Sequence, residues 1–191
     1  MKKYYFDTID STNDEAKRLI KSGTGEDFAV ISKSQTSGRG QFERSFFSPP
    51  GTGLYLSVAL KQKAPLNNSF ITQAAAVAVC RSIENIYGIC LDIKPVNDLI
   101  YGGKKICGIL VESAANFGSC EYFAVFGIGI NLSKPKCGFP DELRDAAAYL
   151  FESDVDPKGL IDEIIAQLII ISDDLSNPNV KLEYERRNIY G

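Results

Sequence analysis

One stretch of the chain concentrates side chains that could bind an anion. Residues 34–44 contain two glycines, Gly38 and Gly40, together with Arg39 and Arg44. Glycine lets the backbone approach a ligand, and a guanidinium donates paired, charge-assisted hydrogen bonds to phosphate oxygens. For so short a pattern a mobile surface turn is the more frequent explanation, and the spacing matches neither a P-loop nor GxGxxG. The stretch therefore indicates a phosphate contact only if other segments agree.

A second stretch, Lys94-Pro-Val-Asn-Asp98, stands where a predicted strand ends and a predicted hairpin begins. A lysine at a strand end beside a pocket can hold a carboxylate and a phosphate together while charge redistributes during attack. Taken in isolation, a solvated lysine followed by an Asn-Asp turn explains the pentapeptide better.

Two further stretches could contact an uncharged ligand group. Asp10-Ser-Thr-Asn-Asp14 offers hydroxyl and amide groups, although helix capping also explains it; both can hold, because a helix N-terminus presents free N–H groups. Gly127-Ile-Gly-Ile-Asn131 has glycine at alternate positions of a predicted strand. These glycines could leave a groove for a flat ring or an alkyl chain, and close packing of a helix over the strand is an equally good explanation.

The composition excludes several kinds of chemistry. The chain of 191 residues contains no histidine, which removes the commonest general base, the Ser-His and Cys-His nucleophile pairs and the usual zinc ligands. A net charge of -3 provides no basic surface for nucleic acid. Lysine, arginine, carboxylates and amides remain, and they favour nucleotidyl or phosphoryl transfer, in which charge neutralisation and positioning lower the barrier.

The cysteines and the N-terminus predict a cytoplasmic protein. There are five cysteines and no CxxC pair, which favours reduced thiols: Cys80, Cys90, Cys107, Cys120 and Cys137. The two lysines near the start are not followed by an apolar segment, and no run of 18 apolar residues predicts a membrane span.

Hydrophobic periodicity predicts the elements that must position these stretches. We expect strands at residues 3–6, 28–33, 54–60, 89–96, 99–101, 105–112 and 120–131, with Gly102-Gly103 as a hairpin turn. Helices are expected at residues 12–22 and 69–87, and from Asp156-Pro157 onward, where an apolar stripe should pack on the sheet. Residues 34–50 should form a long loop. The pattern predicts one α+β domain with a mixed, largely antiparallel sheet packed with helices.

In this order and at these separations, the four stretches resemble the catalytic domain of biotin protein ligases. Counterparts of the family motifs STN, GRG, SPxGxxLYxS, KWPND, KxxGILxE and GIGIN lie between Phe6 and Asn131, and the segment Ser48–Ser57 is the clearest of them. The resemblance implies a fold like that of class II aminoacyl-tRNA synthetases and biotin synthetases over residues 1–191. It also implies formation of biotinyl-5′-AMP from biotin and ATP, then transfer of biotin to a lysine of a biotin carboxyl carrier protein, with Mg²⁺ offsetting charge on the leaving pyrophosphate.

The resemblance further implies roles for individual residues. Expected biotin contacts are Ser11, Thr12, Asn13, Gln35, Gly38, Arg39, Gly40, Gln41, Lys94, Gly108, Gly127 and Gly129. Expected ATP contacts are Arg39, Gln41, Arg44, Phe46, Lys94, Asn97, Asp98, Lys105 and Asn131. Lys94 would be the main electrostatic catalyst, assisted by Arg39 and Lys105, and Asp98 is the candidate magnesium contact. Arg39 and Lys94 are expected to converge on one pocket.

The sequence departs from the family pattern in ways that affect these roles. KWPND reads Lys94-Pro-Val-Asn-Asp98, without the aromatic residue and with proline one place early. The family's basic loop has Gln41, Phe42 and Glu43 in place of two basic residues and a glycine, so we expect a looser grip on the adenylate. Since the chain has no tryptophan, Phe46 or Phe139 should stack on adenine.

The resemblance carries further expectations about partners. We expect this chain to lack the winged helix of some members and the family's small C-terminal barrel, so DNA is not an expected partner. A membrane is not an expected partner either, because no long apolar run is present. An open edge of the meander could pair two copies in a homodimer. Two other functions stay open: a lipoate or octanoate ligase or transferase of the same fold, and a non-catalytic module that binds biotin or a partner protein.

Overall fold

The computed structural model describes residues 1–41, 44–63, 70–116, 118, 121–175 and 177–190. Its strands are β1 (Lys2–Phe6), β2 (Phe28–Ser32), β3 (Gly53–Gln62), β4 (Asp92–Lys94), β5 (Asp98–Tyr101), β6 (Lys104–Asn116) and β7 (Glu121–Asn131). Its helices are α1 (Thr12–Lys21), α2 (Ile71–Tyr87), α3 (Lys158–Asp173) and α4 (Pro178–Arg187).

The strands form a mixed sheet in the order β1-β2-β3-β7-β6-β5-β4. β1 runs parallel to β2, whereas the pairs β2–β3, β4–β5 and β5–β6 are antiparallel. Gly102 and Gly103 both have positive φ, of 57° and 80°, as expected for the tight turn between β5 and β6. The predicted α+β class, with its largely antiparallel sheet, is confirmed.

Two compact units divide the chain. The first unit comprises Met1–Asn68 and Leu110–Gly129. In it, α1 packs on β2 and β3 through an apolar face that includes Ala16 and Ile20, four residues apart and fully buried. The buried core cluster of this unit consists of Ala16, Ile20, Phe28, Val30, Ala59, Phe123 and Val125.

The second unit comprises Ser69–Ile109 and Ile130–Gly191. The Ala-rich helix α2 is its centre and packs against both α3 and α4. The buried stripe of α3, from Leu160 to Ile171, meets α2, and the expectation that this helix also packs on the sheet stays a prediction. The long apolar helix α2 thus packs against this stripe.

Element boundaries differ from the predictions where capping or proline decides them. α1 begins at Thr12 as predicted, and its N-cap is Ser11, whose hydroxyl accepts from the Asp14 N–H. β4 begins at Asp92, later than the predicted residue 89, and ends at Lys94, because Pro95 has no N–H to continue a ladder. α3 begins after Pro157, with the Asp156 carboxylate accepting from the Lys158 N–H at 3.1 Å. α4 was not predicted, because it buries only two side chains and its amphipathic pattern is weak.

Parts of some predicted elements fall outside the described residues. These are Ser69 at the expected start of α2, Cys120 at the expected start of β7, Ser119 in the preceding turn, and Phe42 and Glu43 in the loop. Within the described ranges, none of the helices combines the length and apolar character that crossing a membrane requires.

Candidate functional site

A cluster of buried polar side chains lies at the N-terminus of α1 in the first unit. Ser11, Thr12 and Asn13 are each 4% exposed or less, although polar residues at a helix start are ordinarily solvated. Burial of this kind is tolerated only where the polar atoms are hydrogen-bonded. The cluster is therefore held by partners from other elements of the same unit.

Gln35 is the first of these partners. Its Oε1 accepts from the Thr12 backbone N–H at 2.8 Å and from the Thr12 hydroxyl at 3.1 Å. Its Nε2 donates to the Ser48 hydroxyl at 3.0 Å, which in turn donates to the Phe46 carbonyl. The predicted loop residue Gln35 thus joins the helix start to the loop that precedes β3.

Ser57 is the second partner and comes from the middle of β3, where it is fully buried. Its Oγ lies 2.8 Å from Thr12 Oγ1 and 2.5 Å from Asn13 Oδ1. A single hydroxyl proton can serve only one of these acceptors at a time. The four side chains Thr12, Asn13, Gln35 and Ser57 form what we call the polar cluster.

Glu112 on β6 holds the other end of Asn13. Asn13 Nδ2 donates to Glu112 Oε2 at 2.8 Å and more weakly to the Leu110 carbonyl at 3.4 Å. Glu112 Oε1 pairs with Lys17 Nζ at 3.0 Å. The Asn13 carboxamide is consequently fixed between β3 and β6.

Arg39 joins the same carboxylates. Its guanidinium forms an ion pair with Asp14, and Nη2 lies 3.6 Å from Glu112 Oε2. Lys17 also pairs with Asp14, at 3.0 Å. Two cations and two carboxylates therefore form one network beside the polar cluster, and Arg39, 37% exposed, remains accessible at its edge.

The Arg39 loop is more regular than its composition predicted. Phe46 N donates to the Gly38 carbonyl at 2.8 Å, and Gly40 N donates to the Arg44 carbonyl at 2.7 Å, so residues 38–40 pair antiparallel with residues 44–46. Gly38 is buried, and a Cβ there would lie 2.7 Å from both the Phe46 carbonyl and the Ser48 hydroxyl. Only glycine fits at that position. Gln41 follows the first of these paired segments, and Arg44 is exposed at the start of the second.

The alternate glycines of β7 do not leave an open groove. A Cβ at Gly127 would lie 2.8 Å from Cγ of Asn13, and one at Gly129 would lie 2.5 Å from the Phe46 ring. Phe46 also meets Tyr55 edge-on, with centroids 6.5 Å apart. Of the two interpretations of these glycines, close packing is the one that the structure supports, with side chains of α1 and of the loop filling the space.

In the second unit, Lys94 is the last residue of β4 and its side chain is exposed. Among the described residues its ammonium has no ion pair or hydrogen bond. Asn97 supports the turn that follows, because its Nδ2 donates to the Ile109 carbonyl at 2.9 Å while Ile109 N donates to the Asn97 carbonyl at 3.0 Å. The turn that presents Lys94 is therefore anchored to β6.

Asp98 and Lys105 form an ion pair of 2.7 Å across β5 and β6. Gly108 lies opposite Asp98 in the same ladder, so no side chain from that position covers the carboxylate. Asn131, at the end of β7, donates from Nδ2 to the Ala148 carbonyl at 3.0 Å. Each of these predicted nucleotide contacts thus has a defined orientation.

The described residues do not assemble a resident metal site. They contain no group of three or more Cys, Asp or Glu side chains placed to hold an ion. Asp98, the candidate magnesium contact, already has an ammonium at 2.7 Å. We therefore derive no step through a protein-bound metal.

The two candidates for stacking on adenine have different surroundings. Phe46 packs over Gly129 in the first unit. Phe139, in the second, is half-buried and stacks on Tyr149 with centroids 6.4 Å apart and an interplanar angle of 21°. The convergence of Arg39 and Lys94 on one pocket stays a prediction, since the two side chains belong to different units.

Sequence reasoning missed Ser57 and Glu112. Ser57 is the one polar residue in the strand segment Leu54–Leu60, and a polar side chain on a buried strand signals a hydrogen-bonding role. Glu112 ends the KxxGILxE stretch and could have been paired with the nearby basic residues.

The buried thiols of Cys80 and Cys107 are not activated as nucleophiles. Burial raises the pKa of Cys80 to about 12 and also raises the pKa of Cys107, so both thiols stay protonated.

Comparison with known proteins identifies the family. Residues 5–131 match the model of the biotin/lipoate A/B protein ligase family. The chain is 38% identical over 165 residues, 84% of its length, to the bifunctional ligase/repressor BirA of Bacillus spizizenii, of which it covers 50%. It is 34% identical over 134 residues, 69% of its length, to the biotin–acetyl-CoA-carboxylase ligase of Paracoccus denitrificans, of which it covers 53%. The chain thus spans about half the length of the curated relatives that it matches.

Solved structures agree on the fold. The biotin protein ligase of Aquifex aeolicus in complex with biotin and ATP superimposes with a TM-score of 0.82 at 25% identity, covering 99% of this chain and 79% of that one. The biotin protein ligase of Leishmania major in complex with biotinyl-5-AMP gives a TM-score of 0.79 at 22% identity, covering 98% of this chain and 81% of that one, and this likeness concerns the fold alone.

Proposed function

Since the chain belongs to the biotin/lipoate A/B protein ligase family, we propose that residues 1–191 form a catalytic domain that activates biotin with ATP and transfers it to a protein lysine. In the first half-reaction a carboxylate oxygen of biotin attacks the α-phosphorus of ATP. The new P–O bond forms as the bond from the α-phosphorus to the bridging oxygen breaks, and pyrophosphate leaves. The products are biotinyl-5′-AMP and pyrophosphate.

In the second half-reaction the amine of an acceptor lysine attacks the acyl carbon of the mixed anhydride. The C–O bond to AMP breaks, AMP leaves, and the amine proton passes to solvent or to a carboxylate such as Asp98. A biotin carboxyl carrier protein is the proposed acceptor. The amide bond that results retains biotin on the lysine.

The single observation that carries this proposal is the polar cluster. The head group of biotin is a neutral cyclic urea with two N–H donors and one carbonyl acceptor, and it requires fixed donors and acceptors that are shielded from water. Thr12, Asn13 and Gln35 offer both kinds of group, and their neighbour Ser11 adds a hydroxyl. A binding site for an anion would have cations at its centre, whereas the cations here, Lys17 and Arg39, lie at the edge of the polar cluster.

The charged residues are proposed to bind the carboxyl group of biotin and the phosphates of the nucleotide. Arg39, with Gly40 and Gln41, is proposed to lie against the carboxyl end of biotin and the adenylate, and the exposed Lys94 to neutralise the carboxylate and the α-phosphate during attack. Lys105 would assist at the phosphates. Magnesium would enter as the counter-ion of ATP, with Asp98 as its candidate contact in the protein.

The remaining assignments are also proposals. The backbones of Gly38 and Gly108 would lie against the ligand, and Gly127 and Gly129 would contribute to its binding. Asn97, Asn131, Arg44 and Phe46 would complete the nucleotide contacts. Close packing at Gly127 and Gly129 supports their role through Asn13 and Phe46 rather than through an open groove.

Exchange of labelled pyrophosphate into ATP tests the proposal. Exchange that depends on biotin is expected, because only a reversible adenylation returns label to ATP. Exchange that depends on lipoate or octanoate would reassign the chain to the other branch of the family. Absence of exchange with all three acids, from protein that still binds biotin, would leave a non-catalytic binding module.

A further inference from the structure

The Asn13 carboxamide presents one chemically defined end to the polar cluster. Its Nδ2 faces Glu112 Oε2 at 2.8 Å and the Leu110 carbonyl at 3.4 Å, which are both acceptors. The reverse orientation would place the Asn13 oxygen against these two acceptors, where it could form no hydrogen bond. Oδ1 must therefore face inward, towards Ser57 Oγ at 2.5 Å.

Glu112 is itself held in place by cations. Lys17 Nζ lies 3.0 Å from Oε1, and Arg39 Nη2 lies 3.6 Å from Oε2. A carboxylate with these two partners offers only acceptors to its neighbours. The side chain is three-quarters buried, so water competes weakly for the bond to Asn13.

From these contacts we propose that Glu112 is a positioning residue that fixes Asn13 Oδ1 as an acceptor and so selects acids whose head group carries an N–H donor. This inference rests on the proposed function and deepens it. A urea-type head supplies such a donor, whereas the dithiolane ring of lipoate supplies none. Oδ1 has a second lone pair beyond the bond from Ser57, and an acid without the donor leaves it unpaired. Sites built for a donor reject ligands that lack one.

Gly127 makes this arrangement possible. The Asn13 carboxamide lies directly on the Gly127 Cα, with Cγ and Nδ2 both 2.8 Å from where a Cβ would be. The amide is therefore confined between β7 below, Ser57 on one side and Glu112 on the other. The oxygen and the NH2 group of this amide are similar in size, so the hydrogen-bond partners and not the shape of the site determine which of them faces Glu112.

Two substitutions at Glu112 separate orientation from charge. Glu112→Gln retains an oxygen that can accept from Asn13 Nδ2 and loses the charge, whereas Glu112→Leu loses both. Glu121→Gln is the matched control, since Glu121 is similarly buried, pairs with Lys61 in the same unit and has no proposed role in binding. Each variant is titrated with biotin, dethiobiotin and lipoate, and KM and kcat are measured in pyrophosphate exchange.

We expect Glu112→Leu to raise the Kd and KM for biotin and dethiobiotin about 10-fold, the cost of an unpaired buried donor, with kcat unchanged. Glu112→Gln should stay within about 3-fold of wild type, since it keeps the acceptor. The ratio of the Kd for lipoate to the Kd for biotin should decrease in Glu112→Leu and not in the other variants. A merely structural role would instead lower the active fraction, and hence kcat, without moving KM.

The outcomes distinguish this inference from the proposed reaction. Equal KM values for wild type and Glu112→Leu, or equal losses in Glu112→Gln and Glu112→Leu, would overturn the role of Glu112 while the reaction stands. If the variants bind biotin with the expected order of Kd values but the wild type shows no pyrophosphate exchange, the role of Glu112 would be supported and the proposed reaction overturned. Failure of wild type to bind biotin or dethiobiotin would overturn both.

Discussion

The Lys105 ammonium lies 2.7 Å from the Asp98 carboxylate, so two residues assigned to the nucleotide neutralise each other within the second unit. Their side chains are 34% and 24% exposed, and a pair so accessible to water contributes only about 0–1 kcal/mol to stability. Lys105→Ala should therefore reduce pyrophosphate exchange about 10-fold or more while barely changing the free energy of unfolding. Urea denaturation and exchange kinetics on the same preparation check this. A loss of stability that matches the loss of activity would make Lys105 structural.

Lys94 offers a different case, since its exposed ammonium has no protein partner among the described residues. Lys94→Ala should lower kcat for adenylation by about 100-fold or more, the scale for removing one preorganised charge from a transition state. The thermal midpoint should be unchanged. Lys104→Ala is the matched control, because Lys104 donates to the Arg144 carbonyl at the surface and has no proposed role. Near-normal turnover in Lys94→Ala would remove Lys94 from the mechanism.

Gly127→Ala should disrupt the polar cluster. The new Cβ would lie 2.8 Å from Cγ of Asn13, which is closer than real contacts allow, so Asn13 must move away from Ser57 and Glu112. We expect a loss of about 1–3 kcal/mol in the free energy of unfolding, together with weaker biotin binding. Gly159→Ala is the control, because its Cβ meets nothing within 4 Å and lies in α3. Retention of wild-type biotin affinity in Gly127→Ala would show that Asn13 is dispensable.

The Asp10–Arg18 pair predicts how stability depends on pH beside the α1 start. The Arg18 guanidinium, bonded to Asp10 at 2.7 Å and 2.8 Å, lowers the pKa of Asp10 from 3.8 to about 2. A carboxyl with a lowered folded-state pKa contributes stability above its unfolded pKa, and that contribution is lost as the pH falls through the folded value. By this linkage, the difference in free energy of unfolding between wild type and Asp10→Asn should be constant above about pH 4.5. The difference should vanish as the pH falls from 3.8 to about 2.

Urea denaturation across this pH range gives the measurement. Asp154→Asn, at an exposed carboxyl without an ion pair among the described residues, should show no such dependence. A difference between wild type and Asp10→Asn that persists unchanged at the lowest pH would contradict the assignment to this ion pair.

Local pattern was sufficient to predict most of the fold. The alternation of Leu54–Leu60, the two-glycine turn and the stripe of α3 each depend on neighbours in sequence, and the corresponding elements formed close to the predicted places. The partner of the α3 stripe could not be predicted, because periodicity indicates that a face is buried and not what covers it.

The candidate site shows the same division. The polar segment Ser11–Asn13 and Gln35 were identified from the motifs, and they do meet in the first unit. Ser57 and Glu112 were missed, because their importance depends on contacts with Asn13 across 44 and 99 positions of sequence. The sequence left a groove and close packing at Gly127 as equal alternatives for a similar reason. Spacing shows where side chains are small, and only the tertiary structure shows that Asn13 occupies the space.

Direct detection of the intermediate tests the central claim. The protein is incubated with biotin and ATP without an acceptor protein, and the ligand that it retains is released and identified by mass spectrometry. Biotinyl-5′-AMP is the predicted product for wild type, and its absence is predicted for Lys94→Ala. Recovery of unchanged biotin and ATP from wild-type protein that binds both would contradict the proposed adenylation.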